Sequence, residues 1–246
     1  MIKVPFVRRG KPPFENLYSL WGAEDELISW ATDKILEKSY LIDHVDLISA
    51  YMDCVEATRK SLSKTDRHYA LGGLFLRTFD SMGHALRAAM SGNYTGCVMY
   101  VRDLIETQFL LSYLIDDDAR PLEWLRSDTK ALKTKFKPVH IREALDARDG
   151  FLKKRRAKHY DLLSNLGAHP TPHSFEMKLD GTRKLNSGPF KQAELLDECI
   201  QEIARAAVLL GETIFGFCKE FSDGDKISSK LSLTLQRTRE KYLTDQ

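Results

Sequence analysis

The sequence predicts an all-α protein, a helical bundle organised around a central antiparallel hairpin of two helices. Most of the chain places apolar residues three and four positions apart, the spacing of an amphipathic helix. The longest run dominated by apolar residues, 94–115, contains no proline and is expected to form the central helix. Strand-like alternation is confined to residues 174–186, around the turn signal Asp180-Gly181, where we expect a small β-hairpin insertion.

Three regions are expected along the chain. Residues 1–16 combine prolines with basic side chains, which favours an extended N-terminal arm. Residues 17–222 carry the periodic patterns and are expected to form a single helical domain. Residues 223–246 are rich in serine and threonine and weakly patterned, so a weakly structured C-terminal tail is predicted.

In the first half of the domain, the sequence pattern predicts two antiparallel helix pairs. Helical spacing covers residues 23–38 and 43–62, and these helices form the first pair. A third helix covers 66–91, and Asn93 follows as the N-cap of the central helix. The short connection brings the third and central helices into a tight hairpin.

The second half predicts four further helices. A short helix at Pro121–Leu125 begins with proline, which is tolerated in the first helical turn. Helices over 138–147 and 151–166 follow, with a break at Gly150. A last long helix is expected over 191–221.

The composition is that of a soluble globular protein. The chain has 246 residues, of which 43% are hydrophobic and 29% charged, with a formal net charge of +2. This charge does not by itself indicate a nucleic-acid or membrane partner. No run reaches the roughly 18 apolar residues of a membrane span, and the N-terminus lacks the apolar region of a signal peptide. We therefore expect a cytoplasmic protein with no membrane partner.

The cysteine and histidine patterns predict neither a metal site nor a cofactor. The cysteines lie far apart without a C-x-x-C pair, which argues against zinc and against a disulfide framework; they are Cys54, Cys97, Cys199 and Cys218. His159, His169 and His173 could suggest a metal site, but two prolines keep His169 and His173 off one regular helical face.

The strongest local charge is a basic segment, residues 130–158. It holds eleven lysines and arginines against three acids. Such a segment can hold the phosphate backbone of RNA.

The central helix carries a charged pair in its apolar run. Arg102 and Glu106 stand four residues apart and therefore share one helical face. A buried charge is normally paired, because leaving it without a partner costs several kcal/mol, on the order of the desolvation penalty. The pair is either a structural ion pair or part of an active site.

A second candidate region lies where a polar helix stops, at residues 160–174. Tyr160 and Ser164 share one face of that helix, and His169 follows at a Gly-Ala-His-Pro break. An imidazole, with an ordinary pKa of about 6.5, suits proton transfer near neutrality. A histidine at a helix end can equally serve in capping or packing.

Together these two regions resemble the HEPN superfamily of all-helical domains, in particular its abortive-infection and toxin-type members. The likeness rests on R-D-L-I-E at residues 102–106 and on Y-x-x-x-S-N-x-x-x-H-P at residues 160–170, and it covers at most residues 65–220. The superfamily's nuclease motif is an arginine followed, after four to six residues, by a histidine. Here Ser164 occupies the arginine position, whereas Asn165 and His169 fit the motif.

The resemblance implies metal-independent RNA cleavage by attack of the 2′-hydroxyl on phosphorus, in a toxin or phage-defence effector. It implies that His169 moves the proton, that Arg102 stabilises the phosphoryl charge in place of the missing arginine, and that Glu106 orients Arg102. It also implies a homodimer. The residues that contact the substrate in this hypothesis are Tyr160, Ser164, Asn165 and Arg156.

An alternative function is a non-catalytic scaffold. The same polar residues would then form one buried network that fixes the packing of two helices. The protein would act as a sensing or interaction module with a protein partner in a defence or toxin–antitoxin system.

Overall fold

The computed structural model describes residues 15–151 and 154–242, and it is built from helices. The all-α class predicted from the sequence is confirmed. The α-helices are α1 (Glu15–Leu36), α2 (Ser39–Ser61), α3 (Asp66–Met90), α4 (Tyr94–Ile115), α5 (Arg120–Leu125), α6 (Thr129–Thr134), α7 (Pro138–Arg148), α8 (Arg155–Leu163), α9 (Ala193–Cys218) and α10 (Gly224–Tyr242). A π-helical turn, Ser164–Ala168, continues α8, and a 3-10 helix, Pro172–Lys178, follows it.

Helices α3 and α4 pack along each other and share the most extensive contact of the described helices. Residues 91–93 connect them. The Asn93 side chain accepts a hydrogen bond from the Gly96 amide at 3.0 Å and so caps α4. Gly92 has a φ of +74°, and a Cβ at this position would lie 2.7 Å from the Phe190 carbonyl oxygen. The tight connection therefore requires glycine.

Helix α9 forms the other side of the core. It packs against α2, α3 and α4. Its inward stripe is fully buried, as its 3.6-residue periodicity predicts; the stripe includes Ile200, Ile203, Ala207, Leu210 and Ile214. The polar residues that α4 presents elsewhere on its surface are thereby held on a rigid element.

The C-terminal region corrects the prediction of a weakly structured tail, since residues 224–242 form α10. Leu231, Leu235 and Thr238 are buried there, at helical spacing, against α2 and α9. Lys241 and Tyr242 donate hydrogen bonds to Asp43 at 2.8 and 2.7 Å. The apolar stripe is narrow, and the serines and threonines around it made the pattern look weak. Residues 243–246 lie outside the described part.

The predicted β-hairpin also needs correction, because no strand forms in residues 15–151 or 154–242. Leu179 and Leu185 make an isolated antiparallel bridge. The Asp180 carboxylate accepts the Thr182 and Lys184 amides at 2.9 and 3.0 Å, so the expected turn is present. The first arm of the predicted hairpin forms part of the 3-10 helix instead. This helix has Pro172 in its first turn.

At the N-terminus, Glu15 and Asn16 belong to α1 rather than to an extended arm. The remainder of the predicted arm, residues 1–14, lies outside the described residues. None of the described helices combines the length and the apolar character that crossing a bilayer requires.

Candidate functional site

A polar network joins α4 to α8 and contains four of the residues singled out in the sequence. Arg102 donates from Nε to the Ser164 hydroxyl at 2.9 Å and from Nη2 to the Tyr160 hydroxyl. Tyr160 donates in turn to Glu106 Oε2 at 3.0 Å, and Arg102 forms an ion pair with Glu106 at 3.5 Å. Two separate stretches of sequence therefore meet at one place.

The local backbone explains why these side chains meet. Arg102 and Glu106 are one helical turn apart on α4. Ser164 begins the π-helical turn after α8, and Gly167 within that turn lies against α4. A Cβ at Gly167 would lie 3.0 Å from Val98 Cγ1. The absence of a side chain at Gly167 thus allows the turn to approach α4 closely.

The network is half open to solvent. The side chains of Arg102 and Glu106 are 27% and 36% exposed, whereas Ser164 is buried. Arg102 lines a shallow groove of about 860 Å³, together with Met99 and Tyr100. Glu106 lines an adjoining, largely apolar cavity of about 670 Å³ between α3, α4, α5 and α7. A ligand could reach the charged groups from either side.

Arg142 on α7 is a member of this site that sequence reasoning missed. Two guanidinium groups lie over the Tyr160 ring, with Arg102 Cζ 4.6 Å and Arg142 Cζ 4.3 Å from its centroid. Arg142 forms no ion pair with any described residue, and its buried Nε has no hydrogen-bond partner among them. The sequence does contain a sign that Arg142 faces inward. It stands three residues before Leu145 and so shares the inward face of α7.

The charges around Tyr160 do not cancel. Two arginines share its ring, and Glu106 is the carboxylate bonded to this group. Burial and the charge of Glu106 raise the pKa of the Tyr160 hydroxyl, while Arg102 and Arg142 act in the opposite direction. Tyr160 therefore keeps its proton at neutral pH, and its three charged neighbours, Arg102, Arg142 and Glu106, carry one positive charge in sum.

His169 lies on a braced loop directly after the π-helical turn. Its amide donates to the Ser164 carbonyl oxygen at 2.9 Å, and its own carbonyl accepts the Thr171 amide at 2.8 Å. Thr171 also donates to the Asn165 carbonyl at 2.6 Å. The imidazole is exposed and makes no hydrogen bond with the described residues, and the Asn165 side chain is exposed as well. Ser164 therefore contacts both Arg102 and the backbone of His169.

Arg156 is placed elsewhere. It forms ion pairs with Asp146, at 2.6 Å, and with Asp149, and its guanidinium lies 4.8 Å from the centroid of the Phe151 ring. It does not bond to the residues of the α4–α8 network within the described chain. This arginine therefore takes part in a structural ion-pair group that joins α7 to α8.

The basic segment is partly neutralised by acids from other elements. Lys135 pairs with Glu123, and Arg148 pairs with Asp116 at 2.7 Å. Other cations of the segment are exposed and form no ion pair with described residues; they are Lys130, Lys133, Lys137, Lys154, Arg155 and Lys158. These six can contact a polyanion.

The histidines considered for a metal site have other neighbours. His159 lies 3.0 Å from Glu202 and His173 lies 3.1 Å from Glu176. Residues 15–151 and 154–242 contain no cluster of three side chains suited to hold a metal ion.

Comparison of the chain with protein-family models, curated proteins and solved structures finds no match.

Proposed function

We propose that the protein is a metal-independent ribonuclease, acting at the α4–α8 network as a toxin-type or phage-defence effector. The observation that carries this proposal is the contact of both Arg102 and Arg142 with the Tyr160 ring, with one carboxylate, Glu106, bonded to the tyrosine hydroxyl. Arg102 lines the open groove, and a guanidinium group suits a phosphate diester. RNA carries such a group next to a 2′-hydroxyl that can attack it.

In the proposed reaction the 2′-oxygen forms a bond to phosphorus while the bond from phosphorus to the 5′-oxygen breaks. The neutral imidazole of His169 accepts the 2′-hydroxyl proton, and water protonates the departing 5′-oxygen. The products are a 2′,3′-cyclic phosphate and a 5′-hydroxyl. Arg102 and Arg142 stabilise the charge that develops on the phosphoryl oxygens. Tyr160, Glu106 and Ser164 hold Arg102 in place.

Surfaces around the site support RNA as the substrate. Met99 and Tyr100 are exposed in the groove that Arg102 lines, and Tyr100 stacks on His84 with ring centroids 5.2 Å apart. Single-stranded bases stack on such aromatic surfaces. The resemblance to HEPN domains adds a homodimer to the proposal, which analytical ultracentrifugation would test.

The experiment is cleavage of a mixed RNA pool in the presence of EDTA. The native chain is compared with His169→Ala and with the matched control His173→Ala, which removes another exposed histidine from the same segment. We expect a loss of about 100-fold or more for His169→Ala, the usual effect of removing a general base. His173→Ala should cleave at the native rate. Equal rates for the two variants would refute the role of His169.

A second function, a non-catalytic scaffold in a defence or toxin–antitoxin system, is favoured by one specific observation. Two Arg102 donors are used in bonds that cross from α4 to Ser164 and Tyr160. A satisfied polar network of this kind specifies how helices pack. Native protein that cleaves no RNA, combined with a marked loss of stability in Arg102→Ala, would support this function over the nuclease.

A further inference from the structure

A separate cavity of about 630 Å³ lies among α2, α4, α8, α9 and α10. None of Arg102, Glu106, Tyr160 and His169 is among its lining residues. Its volume lies within the range of roughly 300 to 1,000 Å³ that small-molecule sites occupy. The cavity is therefore a separate candidate site for a small molecule.

The floor of this cavity is apolar. Ile105 and Phe109 from α4 face Ala204 and Val208 from α9, and all four are buried residues of the core. Leu209 lines the rim and is partly exposed. These four side chains favour a ligand with an apolar body.

One wall is aromatic. The His44 ring packs edge-to-face with Tyr40 and Tyr242, at centroid distances of 6.0 and 5.1 Å. Both tyrosines line the cavity, and both hydroxyls are engaged with carboxylates, Tyr40 donating to Asp197 and Tyr242 to Asp43. His44 Nδ1 is buried and has no hydrogen-bond partner among the described residues. A flat ring matches this wall in shape and chemistry.

The mouth of the cavity carries excess positive charge. Arg156 is compensated by Asp146 and Asp149, and Arg205 by Glu202. Arg155 also lines the cavity, is exposed, and forms no ion pair with residues 15–151 or 154–242. Its guanidinium is thus available to an anionic group outside the apolar floor.

We propose that this cavity binds a flat aromatic anion. The ring lies against the wall formed by Tyr40, His44 and Tyr242, its apolar edge contacts Val208, and its phosphate, carboxylate or sulfonate pairs with Arg155. The site is distinct from the RNA-cleavage site and does not rest on that proposal.

The test uses two fluorescent probes of similar shape, 8-anilino-1-naphthalenesulfonate and its uncharged analogue N-phenyl-1-naphthylamine. We expect saturable binding of the anionic probe, one per chain. Filling the floor with Val208→Trp should abolish binding of both probes, and Leu209→Trp at the more exposed rim does the same if the first variant fails to fold. Arg155→Ala should weaken the anionic probe about tenfold or more and leave the neutral probe unchanged.

Arg87→Ala is the matched control, because Arg87 is exposed on α3 and does not line the cavity. It should alter neither affinity. Displacement of the anionic probe by adenosine monophosphate rather than 1-naphthoate would assign a phosphate ligand, and the reverse a carboxylate. The proposal is overturned if the anionic probe does not bind, if neither competitor displaces it, if a folded Val208→Trp or Leu209→Trp variant binds it normally, or if Arg155→Ala binds it with native affinity.

Discussion

At the scale of single residues, the arginines of the α4–α8 network differ in how they are held. Arg102 is fixed by Ser164, Tyr160 and Glu106. Arg142 contacts the Tyr160 ring but has a buried Nε without a partner among the described residues. An unpaired buried donor destabilises the fold, so its presence is consistent with a use other than stability.

Replacing Arg142 by leucine should separate its contribution to stability from its contribution to RNA binding. The change removes the unpaired donor and a cation–π contact, and these effects offset each other within about 1 kcal/mol. Urea unfolding should therefore give a near-native free energy of unfolding. Affinity for single-stranded RNA should fall, and the salt dependence of binding should become shallower. A strongly destabilised variant with native RNA affinity would contradict the assignment of Arg142.

Replacing Tyr160 by phenylalanine should, unlike Arg142→Leu, lower the free energy of unfolding. The ring and its contacts with both arginines remain, but the hydroxyl that bridges Arg102 and Glu106 is lost. Removing a bond to charged groups should lower the free energy of unfolding by about 1–3 kcal/mol. Tyr69→Phe is the control, because Tyr69 is largely exposed on α3 and should tolerate the change. No difference between the two variants would mean that the bridge does not stabilise the fold.

At the scale of elements, α10 shows how a helix can be missed. Its inward positions are two leucines and a threonine among many polar residues. A narrow stripe of this kind is weak in sequence, yet it is sufficient when a neighbouring helix supplies a fitting surface. Leu235 packs on Gly211 of α9, where a Cβ would lie 2.9 Å from Leu235 Cδ1.

The packing of α10 can be tested with two leucines of the same helix. Leu235 is 3% exposed and Leu233 is 70% exposed. Leu235→Ala should destabilise the protein by about 2–5 kcal/mol, because it removes buried methyl groups and leaves a cavity. Leu233→Ala should change the free energy of unfolding by less than about 0.5 kcal/mol. Similar, small effects from both would show that α10 does not contribute to the core.

At the scale of the whole molecule, the four cysteines come together in two pairs that sequence spacing could not reveal. Cys54 of α2 lies beside Cys218 of α9, and Cys97 of α4 lies beside Cys199 of α9. All four are buried free thiols. The hydrogen bond that each donates to its paired sulfur, together with burial, raises the pKa of Cys54 and of Cys97, whereas the bond from Cys54 lowers the pKa of Cys218.

Native protein should therefore resist thiol reagents. We expect almost no reaction with 5,5′-dithiobis(2-nitrobenzoic acid) at pH 8, and reaction of all four thiols in denaturant, because all four are buried in the folded protein. The labelling rate should follow global unfolding. Fast labelling of any cysteine in the folded protein would place that residue in a part of the chain that opens locally.

The sequence predicted features that depend on local chemistry. The bounds of α4 follow from an apolar run and the cap residue Asn93, and the pairing of Arg102 with Glu106 follows from helical spacing. Contacts between distant helices could not be predicted from the sequence, because the spacing of residues along the chain does not show which helices lie side by side. Arg142 on Tyr160 and the cysteine pairs belong to this second class.

We propose that the α4–α8 network and the loop carrying His169 cleave RNA through the 2′-hydroxyl. The most direct measurement is mass spectrometry of the products from an RNA strand and from the same strand with 2′-deoxyribose at the observed cut, both incubated in EDTA. We predict a cyclic phosphate and a 5′-hydroxyl from the first strand, and no cleavage at that position in the second. Cleavage at the deoxyribose position, or an RNA strand that stays intact, would contradict the claim.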